Sequence, residues 1–375
     1  MSTPAGPFEY ILSEQHLATA LGVPLSYLEF ARAQIALGDA YEYRKKSIHG
    51  KARELAVPRQ LLMSLQRRIL DFLWPLSLSL HPACHGYTPG RSATTNAAPH
   101  CGAQWVQRLD VEDFFPSTRP VVITEALVRQ GASDAVAALL TDITVDKGGL
   151  PLGAPCSPLL SNLVMTSVDD CLAEIASSAN IVYTRYADDM TFSADTKFDM
   201  TEAARAALHP LGFTLNYTKS RLRRRGQSIA VTGLRIAEAD HPRLPKQFKR
   251  RLRQEFHFIE TYGLSEHCLA RYCWHWIDED DDDKQVEQST RHLQGKVRYA
   301  LGVEREWMSA LLDAHPRAAS ELTPPEGNNA GRRLAALKAL ASDIMSRPQV
   351  PLTREATSIG PSRARLPSWP QEAGR

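Results

Sequence analysis

Three aspartates carry the strongest chemical signal in this 375-residue chain. Asp188 and Asp189 adjoin inside "YTRYADDMTFSAD" (183–195), between the strand-like runs "IVYTRY" and "MTFS". Tyr183, Tyr186, Met190 and Phe192 flank them, and "ADD" reads as the tight turn of a hairpin, where Asp is tolerated. Asp110 stands in "AQWVQRLDVEDFFPST" (103–118), a strand whose Trp105, Leu109 and Val111 face one way and Asp110 the other. With these elements side by side in one sheet, Asp110 and Asp188 come within reach of each other. Buried carboxylates without a counter-charge would simply protonate. A hard divalent cation keeps them ionised: Mg²⁺ prefers oxygen ligands, commonly one or two carboxylates with substrate phosphates. Two such ions, ~3.5–4 Å apart, stabilise both the attacking and the leaving oxygen of an in-line phosphoryl displacement. The chemistry implied is nucleotidyl transfer. A D-D pair alone is usually a solvated turn, so the weight rests on its surroundings.

The elements that must position these residues follow from periodicity. Residues 1–40 read as helical, with Ser13 capping "SEQHLATALGV". "YEYRKKSIHGKARELAVP" (41–58) alternates about a central Gly and reads as a basic hairpin. In the helix of "LAVPRQLLMSLQRRILDFLWPL" (55–76), Leu62, Leu65, Ile69 and Leu73 share a face, with Arg59, Gln66 and Arg67 largely off it. The loop-rich "HPACHGYTPGRSATTNAAPH" precedes the Asp110 strand. Then come a helical stretch (119–144), a Gly/Pro loop entering a long helix (147–176), the Asp188 hairpin, a helix near 201–210 and a short strand at "IAVTGLRI" (229–236). From Pro245 the pattern is helical, with Phe248, Leu252, Phe256 and Ile259 in one stripe.

A chain of this length buries a sizeable core and can form two or three packed units. Its 43% hydrophobic and 23% charged residues are those of an ordinary soluble globular protein. No apolar run approaches the ~20 residues that span a bilayer, and "MSTPAGPFEYILSEQ" lacks the pattern of a secretory signal. A cytoplasmic location with no membrane partner is expected, and the six scattered cysteines are then reduced thiols. His81, Cys84 and His85, or Cys268, Cys273 and His275, lack the paired spacing of a zinc site. The net charge of +2 hides a segregation of sign. Basic residues gather in "KSRLRRR" (219–225) and "RLPKQFKRRLR" (243–253), acidic ones in "DEDDDDK" (278–284), a solvated loop by its composition. The basic clusters, Arg250 and Arg253 among them, suit a polyanion such as nucleic acid.

Six segments in order give the aspartates their context. "RYADDMTFS" resembles the Y-x-D-D box of reverse transcriptases, and "RLDVEDFFPS" the companion box with the first metal-binding aspartate. "GLPLGAPCSPLLSNLVM" is similar to the G-x-P-x-G-x-x-x-S-P segment between them, "GFTLNYTKSRL" to the lysine box, and "VTGLRI" to the primer-grip strand. "YRKKSIHGKARELAVP" followed by "LQRRIL" resembles the fingers hairpin and its helix. Asn96, Ala97 and His100 in "TNAAPH" match N-A-x-x-H, and Val231-Thr232-Gly233 gives V-T-G, both marks of bacterial retron reverse transcriptases.

The resemblance implies an α+β right-hand polymerase without a ribonuclease H domain. Its parts would be an N-terminal helical extension (1–40), fingers (41–102), a palm with an antiparallel sheet (103–236, with a fingers insertion at about 119–160), a helical thumb (237–320) and a C-terminal helix with a Pro-rich tail (321–375). It implies two Mg²⁺ ions, replaceable by Mn²⁺, on Asp110, Asp188 and the more peripheral Asp189, with the Val111 carbonyl as a further ligand. Phe115 aligns with the side chain that excludes a ribose 2′-hydroxyl, or else is plain core. Lys46 and Arg53 sit where family members grip the triphosphate, although Arg44, Lys45 and Lys51 compete with Lys46 for that role. Lys219 either protonates departing pyrophosphate or contacts backbone phosphate. Leu152 departs from the usual glutamine beside the incoming nucleotide, which leaves fidelity or nucleotide preference in doubt. Thr232 and Gly233 would meet the primer terminus or structured RNA, and Asn96 and His100 either RNA or the local loop. The implied partners are deoxynucleoside triphosphates, a structured non-coding RNA, its branched RNA–DNA product (msDNA) and an effector protein in anti-phage defence, with higher-order oligomers a further expectation. The rival expectations are a group II intron-like or untemplated bacterial polymerase, and a catalytically idle RNA-binding scaffold.

Overall fold

In chain order, Ser13 caps α1 (Glu14–Leu21), its hydroxyl oxygen accepting from the His16 amide at 3.2 Å, and α2 (Leu25–Ala36) follows. The basic stretch forms a hairpin of β1 (Tyr41–Ile48) and β2 (Lys51–Pro58). Next come α3 (Gln60–Leu73), the short α4 (Ala93–Ala97) behind a Ser92 capping box, β3 (Trp105–Asp110) and the single turn α5 (Phe114–Ser117). The stretch expected to be helical over 119–144 forms two helices, α6 (Pro120–Arg129) and α7 (Asp134–Thr144). Gly131 parts them: its φ of 96° leaves the right-handed region, which only glycine does without a Cβ penalty. α8 (Ser157–Ser178), β4 (Val182–Tyr186), β5 (Asp189–Ala194), α9 (Thr201–Leu208) and β6 (Arg221–Arg224) follow.

The strand expected at 229–236 is instead a small hairpin, β7 (Ala230–Val231) and β8 (Leu234–Arg235), turning at Thr232-Gly233. Both turn residues have positive φ, 47° and 80°, the requirement of a two-residue type I′ turn. Helices α10 (Lys246–Tyr262), α11 (Leu264–Tyr272), α12 (Asp282–Val303), α13 (Arg305–Asp313) and α14 (Pro316–Leu322) close the described chain. The computed structural model describes residues 6–48, 51–227, 229–238, 240–272 and 282–322. The basic hairpin's tip, Cys273, His275, the acidic run up to 281 and everything after 322 lie outside these residues.

Strands β4, β5, β3 and β6 form one sheet in that order, with antiparallel neighbours throughout. Leu109, Met190 and Phe192 bury one face in a core shared with α1, α3, α6, α7 and α8. Val106, of opposite parity on β3, enters a second core with Val231, Leu234, Phe256, Ile259 and Leu293. The sheet is thus clamped between two apolar bodies, at roughly 1.5–3 kcal/mol per fully buried Leu, Ile or Phe. Leu62, Leu65, Ile69 and Leu73 line the inner face of α3 as their spacing predicts. Gln66 corrects the expectation that it lies off that face: it is fully buried. Its Nε2 donates to the Tyr41 hydroxyl (3.0 Å) and the Ile143 carbonyl (2.9 Å), while the buried Oε1 has no hydrogen-bond partner. Among the described residues no helix is long and apolar enough to cross a membrane.

Candidate active site

Two residues, Ala187 and Asp188, join β4 to β5, with Tyr186 pairing Asp189 across the turn. Asp188 therefore takes the tip, while Asp189 is the first residue of β5 rather than part of the turn. In the adjoining ladder Asp189 lies opposite Asp110, and the Val111 amide donates to the Asp188 carbonyl at 3.2 Å. The structure thus brings Asp110, Val111, Asp188 and Asp189 together at one end of the sheet. Burial, then the Asp110 charge, hold the Asp188 carboxyl above the usual carboxylate range. Burial also raises Asp189, opposed by Arg108.

Two cationic side chains answer this concentration of negative charge. Lys219 Nζ contacts Asp110 Oδ1, and Arg108 grips Asp189 through Nε and Nη2. Arg108 also donates from Nη1 to the Ala230 carbonyl at 3.3 Å, tying the Asp189 strand to the 230–235 hairpin. Among the described residues no group of three carboxylate, imidazole or thiolate side chains forms a ready cage for an ion. The donor set is nonetheless all hard oxygen, and the raised carboxyls of Asp188 and Asp189 are what a divalent cation relieves.

The turn itself rests on a residue that sequence reading missed. Ala187 has a φ of 58°, strained for a residue with a Cβ. Beneath it Arg185 is wholly buried, donating from Nη1 to the Ala187 carbonyl (2.9 Å) and to Asn162 Oδ1 (3.0 Å). Arg185 Nε and Nη2 meet the two Asp169 carboxylate oxygens at 2.7 and 2.6 Å, and the Tyr183 hydroxyl donates to the same carboxylate at 2.7 Å. Asn162 Nδ2 reaches the Gly86 carbonyl at 2.8 Å. One polar plate therefore joins α8, β4, the turn and the loop at 86. The signal was parity: Arg185 shares the inward face of its strand with Tyr183, and a charge there demands a partner.

Lys46 and Arg53 are direct cross-strand partners on the basic hairpin. Arg44 is engaged instead with Glu42. The Leu152 carbonyl accepts from the Ala56 amide at 2.9 Å, so the Gly/Pro loop docks on β2, with Leu152 itself half-buried. Phe115 is half-buried, with its ring centroid 5.5 Å from Phe114 and 6.3 Å from Tyr87. Tyr87, absent from the sequence expectations, also lies 6.5 Å from Tyr186. Burial and the Asp188 charge raise its phenol pKa, and Arg53 opposes them.

The remaining expected residues divide. His100 is fully buried, its ring nitrogens 2.7 Å from the Ser193 hydroxyl and 2.8 Å from the Thr184 hydroxyl. Burial pushes its pKa down to about 3, so the ring is neutral and belongs to the fold, the local alternative of the two expected. Asn96 is also buried, its side-chain amide without a hydrogen-bond partner. The Thr232 hydroxyl donates to the Ala93 carbonyl at 2.8 Å, so the V-T-G turn is fastened to the N-A-x-x-H helix. A Cβ on Gly233 would meet nothing within 4 Å, so positive φ rather than close protein packing calls for glycine there. Arg250 is exposed, and the Arg253 guanidinium lies 5.4 Å from the Trp307 ring centroid.

The family model described as reverse transcriptase (RNA-dependent DNA polymerase) matches residues 43–236, half of the chain. The retron Ec86 reverse transcriptase of Escherichia coli is 31% identical over 60% of this chain and 71% of its own length. The chain belongs to the retron reverse transcriptases. The retron Mx65 and Mx162 reverse transcriptases of Myxococcus xanthus are 34% and 33% identical, each over 65% of this chain. The chain spans 64% and 58% of those two relatives' lengths. A telomerase structure from Candida albicans aligns with 83% of this chain and 66% of its own at 10% identity and a TM-score of 0.39. The fold class is that of the family, the α+β right-hand polymerase, and reverse transcriptases use divalent metal ions.

Proposed function

We propose that this retron reverse transcriptase is an RNA-directed DNA polymerase that copies its own structured RNA from a 2′-hydroxyl primer into branched msDNA, in the cytoplasm, within an anti-phage system that includes an effector. The observation that carries the catalytic reading is the register placing Asp110 opposite Asp189, with Asp188 on the turn beside them. Asp110 and Asp188, with the Val111 carbonyl, would hold Mg²⁺ or Mn²⁺, and Asp189, committed to Arg108, orients the strand more than it ligates. When bound, a pair of such ions supplies positive charge to the attacking and leaving oxygens of the displacement.

The chain's own residues do the rest. Lys219 leaves Asp110 as the site fills, and its ammonium is then placed to protonate departing pyrophosphate or to hold a phosphate. Lys46 and Arg53 grip the triphosphate, Arg with its fork and Lys as a point charge. Phe115 is the side chain that would meet a ribose 2′-hydroxyl and exclude it. The 230–235 hairpin, hung from Arg108 and Ala93, supports the primer terminus. The 243–253 and 219–225 clusters track nucleic-acid phosphates. Isolating the nucleic acid bound to the protein from its native cells tests this reading. A covalently branched RNA–DNA of one sequence is expected, whereas homopolymer DNA would point to untemplated synthesis and contradict it.

A further inference from the structure

The loop at 85–88 is fixed against the catalytic turn as firmly as a strand. The His85 amide donates to the Arg185 carbonyl and the Arg185 amide to the Ala83 carbonyl, each at 2.7 Å. A Cβ on Gly86 would stand 2.4 Å from the Ala187 nitrogen, so only glycine lets the loop seat there. The next residue, Tyr87, has a φ of 57°, a region that a bulky side chain enters at a cost and that is characteristic of functional positions. The strain does not serve to bury the ring, since Tyr87 remains 49% exposed. An aromatic held in strain and still half exposed is positioned for something outside the chain.

Its surroundings say what. Phe115 and Tyr186 flank the ring at 6.3 and 6.5 Å between centroids, tilted by 55° and 41°. The hydroxyl lies in the electrostatic reach of Asp188 and Arg53. Phe115, assigned above to the ribose, packs beside the ring, and the charges of Arg53 and Asp188, assigned above to the triphosphate and the metal, act on its hydroxyl. The geometry points to Tyr87 as a nucleotide-contacting residue, its exposed face forming an aromatic wall against the base and sugar of the incoming deoxynucleotide. This inference rests on the polymerase reading and adds a specificity element to it. Base–aromatic contact is tolerant of base identity, because every base offers a π-face. The wall therefore contributes affinity for deoxynucleotides in general rather than for one of them.

The left-handed φ supplies a clean test, because the variants that remove the ring also suit the backbone. Tyr87→Gly and Tyr87→Asn should fold with a melting temperature at or above that of the unaltered chain. Steady-state extension of a DNA primer on an RNA template, with dNTP concentration varied, reads the function. Both variants should raise the KM for dNTP about tenfold, with kcat changed less than about threefold. Tyr87→Phe, which keeps the ring, should restore the KM. Folded Tyr87→Gly and Tyr87→Asn with KM within twofold of the unaltered enzyme would overturn the assignment and leave the polymerase reading intact. Failure of the unaltered enzyme to extend the primer at all would instead strike the polymerase reading and, with it, this one.

Discussion

His100 illustrates how a residue in a family mark can act through the fold. Neutral and fully buried, it bridges Ser193 on β5 and Thr184 on β4 directly behind the Asp188 turn. Its pKa is about 3 in the folded chain, against about 6.5 unfolded. The unfolded chain therefore binds the extra proton between these values. Stability from this residue is complete above pH 6.5 and is lost as pH falls toward 3. At pH 5 the loss is about 2 kcal/mol. Thermal melts at pH 7 and pH 5 should show that drop in the unaltered chain and a smaller one in His100→Gln. Equal pH sensitivity in the two would remove His100 from the account.

The catalytic turn shows what an element needs besides its own sequence. Strand parity already set Asp110 opposite the core-facing residues of its strand and placed Asp188 at a hairpin tip. Alternation fixes faces only, and the pairing of Asp110 with Asp189 comes from the β3–β5 register of the folded chain. Less legible was the support behind them, because Asp169 and Arg185 lie on different elements and only packing joins them. The Thr232-Gly233 turn was hidden for another reason: the mostly apolar frame of 229–236 reads equally well as one strand or as two. Breaking the buried pair by Arg185→Met should cost ~3–5 kcal/mol, and adding Asp169→Leu should recover most of it, since a matched apolar pair often replaces a buried ion pair without loss. The double variant should nevertheless polymerise at least about tenfold more slowly and need more Mg²⁺ for half-maximal rate, because nothing then holds the Ala187 carbonyl. A double variant with unchanged rate and Mg²⁺ requirement would reduce Arg185 to packing. Gly86→Ala tests the same seat from the other side, since its Cβ must displace the Ala187 backbone. Primer extension by this variant should fall about tenfold or more, and an unaffected rate would show that the loop can yield.

At the scale of the molecule, two cores clamp one sheet, and the hairpin at 230–235 belongs by its buried residues to the second. Arg108 links the Asp189 strand to the 230–235 hairpin by named bonds, while Thr232 fastens that hairpin to Ala93 within the second body. The helical character after Pro245 and its Phe248–Ile259 stripe were plain in the sequence, as period 3.6 is an unambiguous signal over 17 residues. The charge segregation was plain too, but not which cations serve the fold: Lys249 is spent on the buried Glu304, while Arg250 faces solvent. RNA binding measured across salt concentrations separates these roles. Arg250→Ala should lower the slope of log Kd against log salt by about 1 and weaken all sequences alike. An unchanged slope would remove Arg250 from the phosphate track.

The most direct measurement of the whole account is single-turnover addition of one deoxynucleotide to a primer on an RNA template, by the unaltered enzyme and by Asp110→Asn and Asp188→Asn. Losing a carboxylate that gathers several kcal/mol of transition-state charge should slow addition ~10³-fold or more, with the fold retained. Addition by either variant within a few-fold of the unaltered rate would contradict the account.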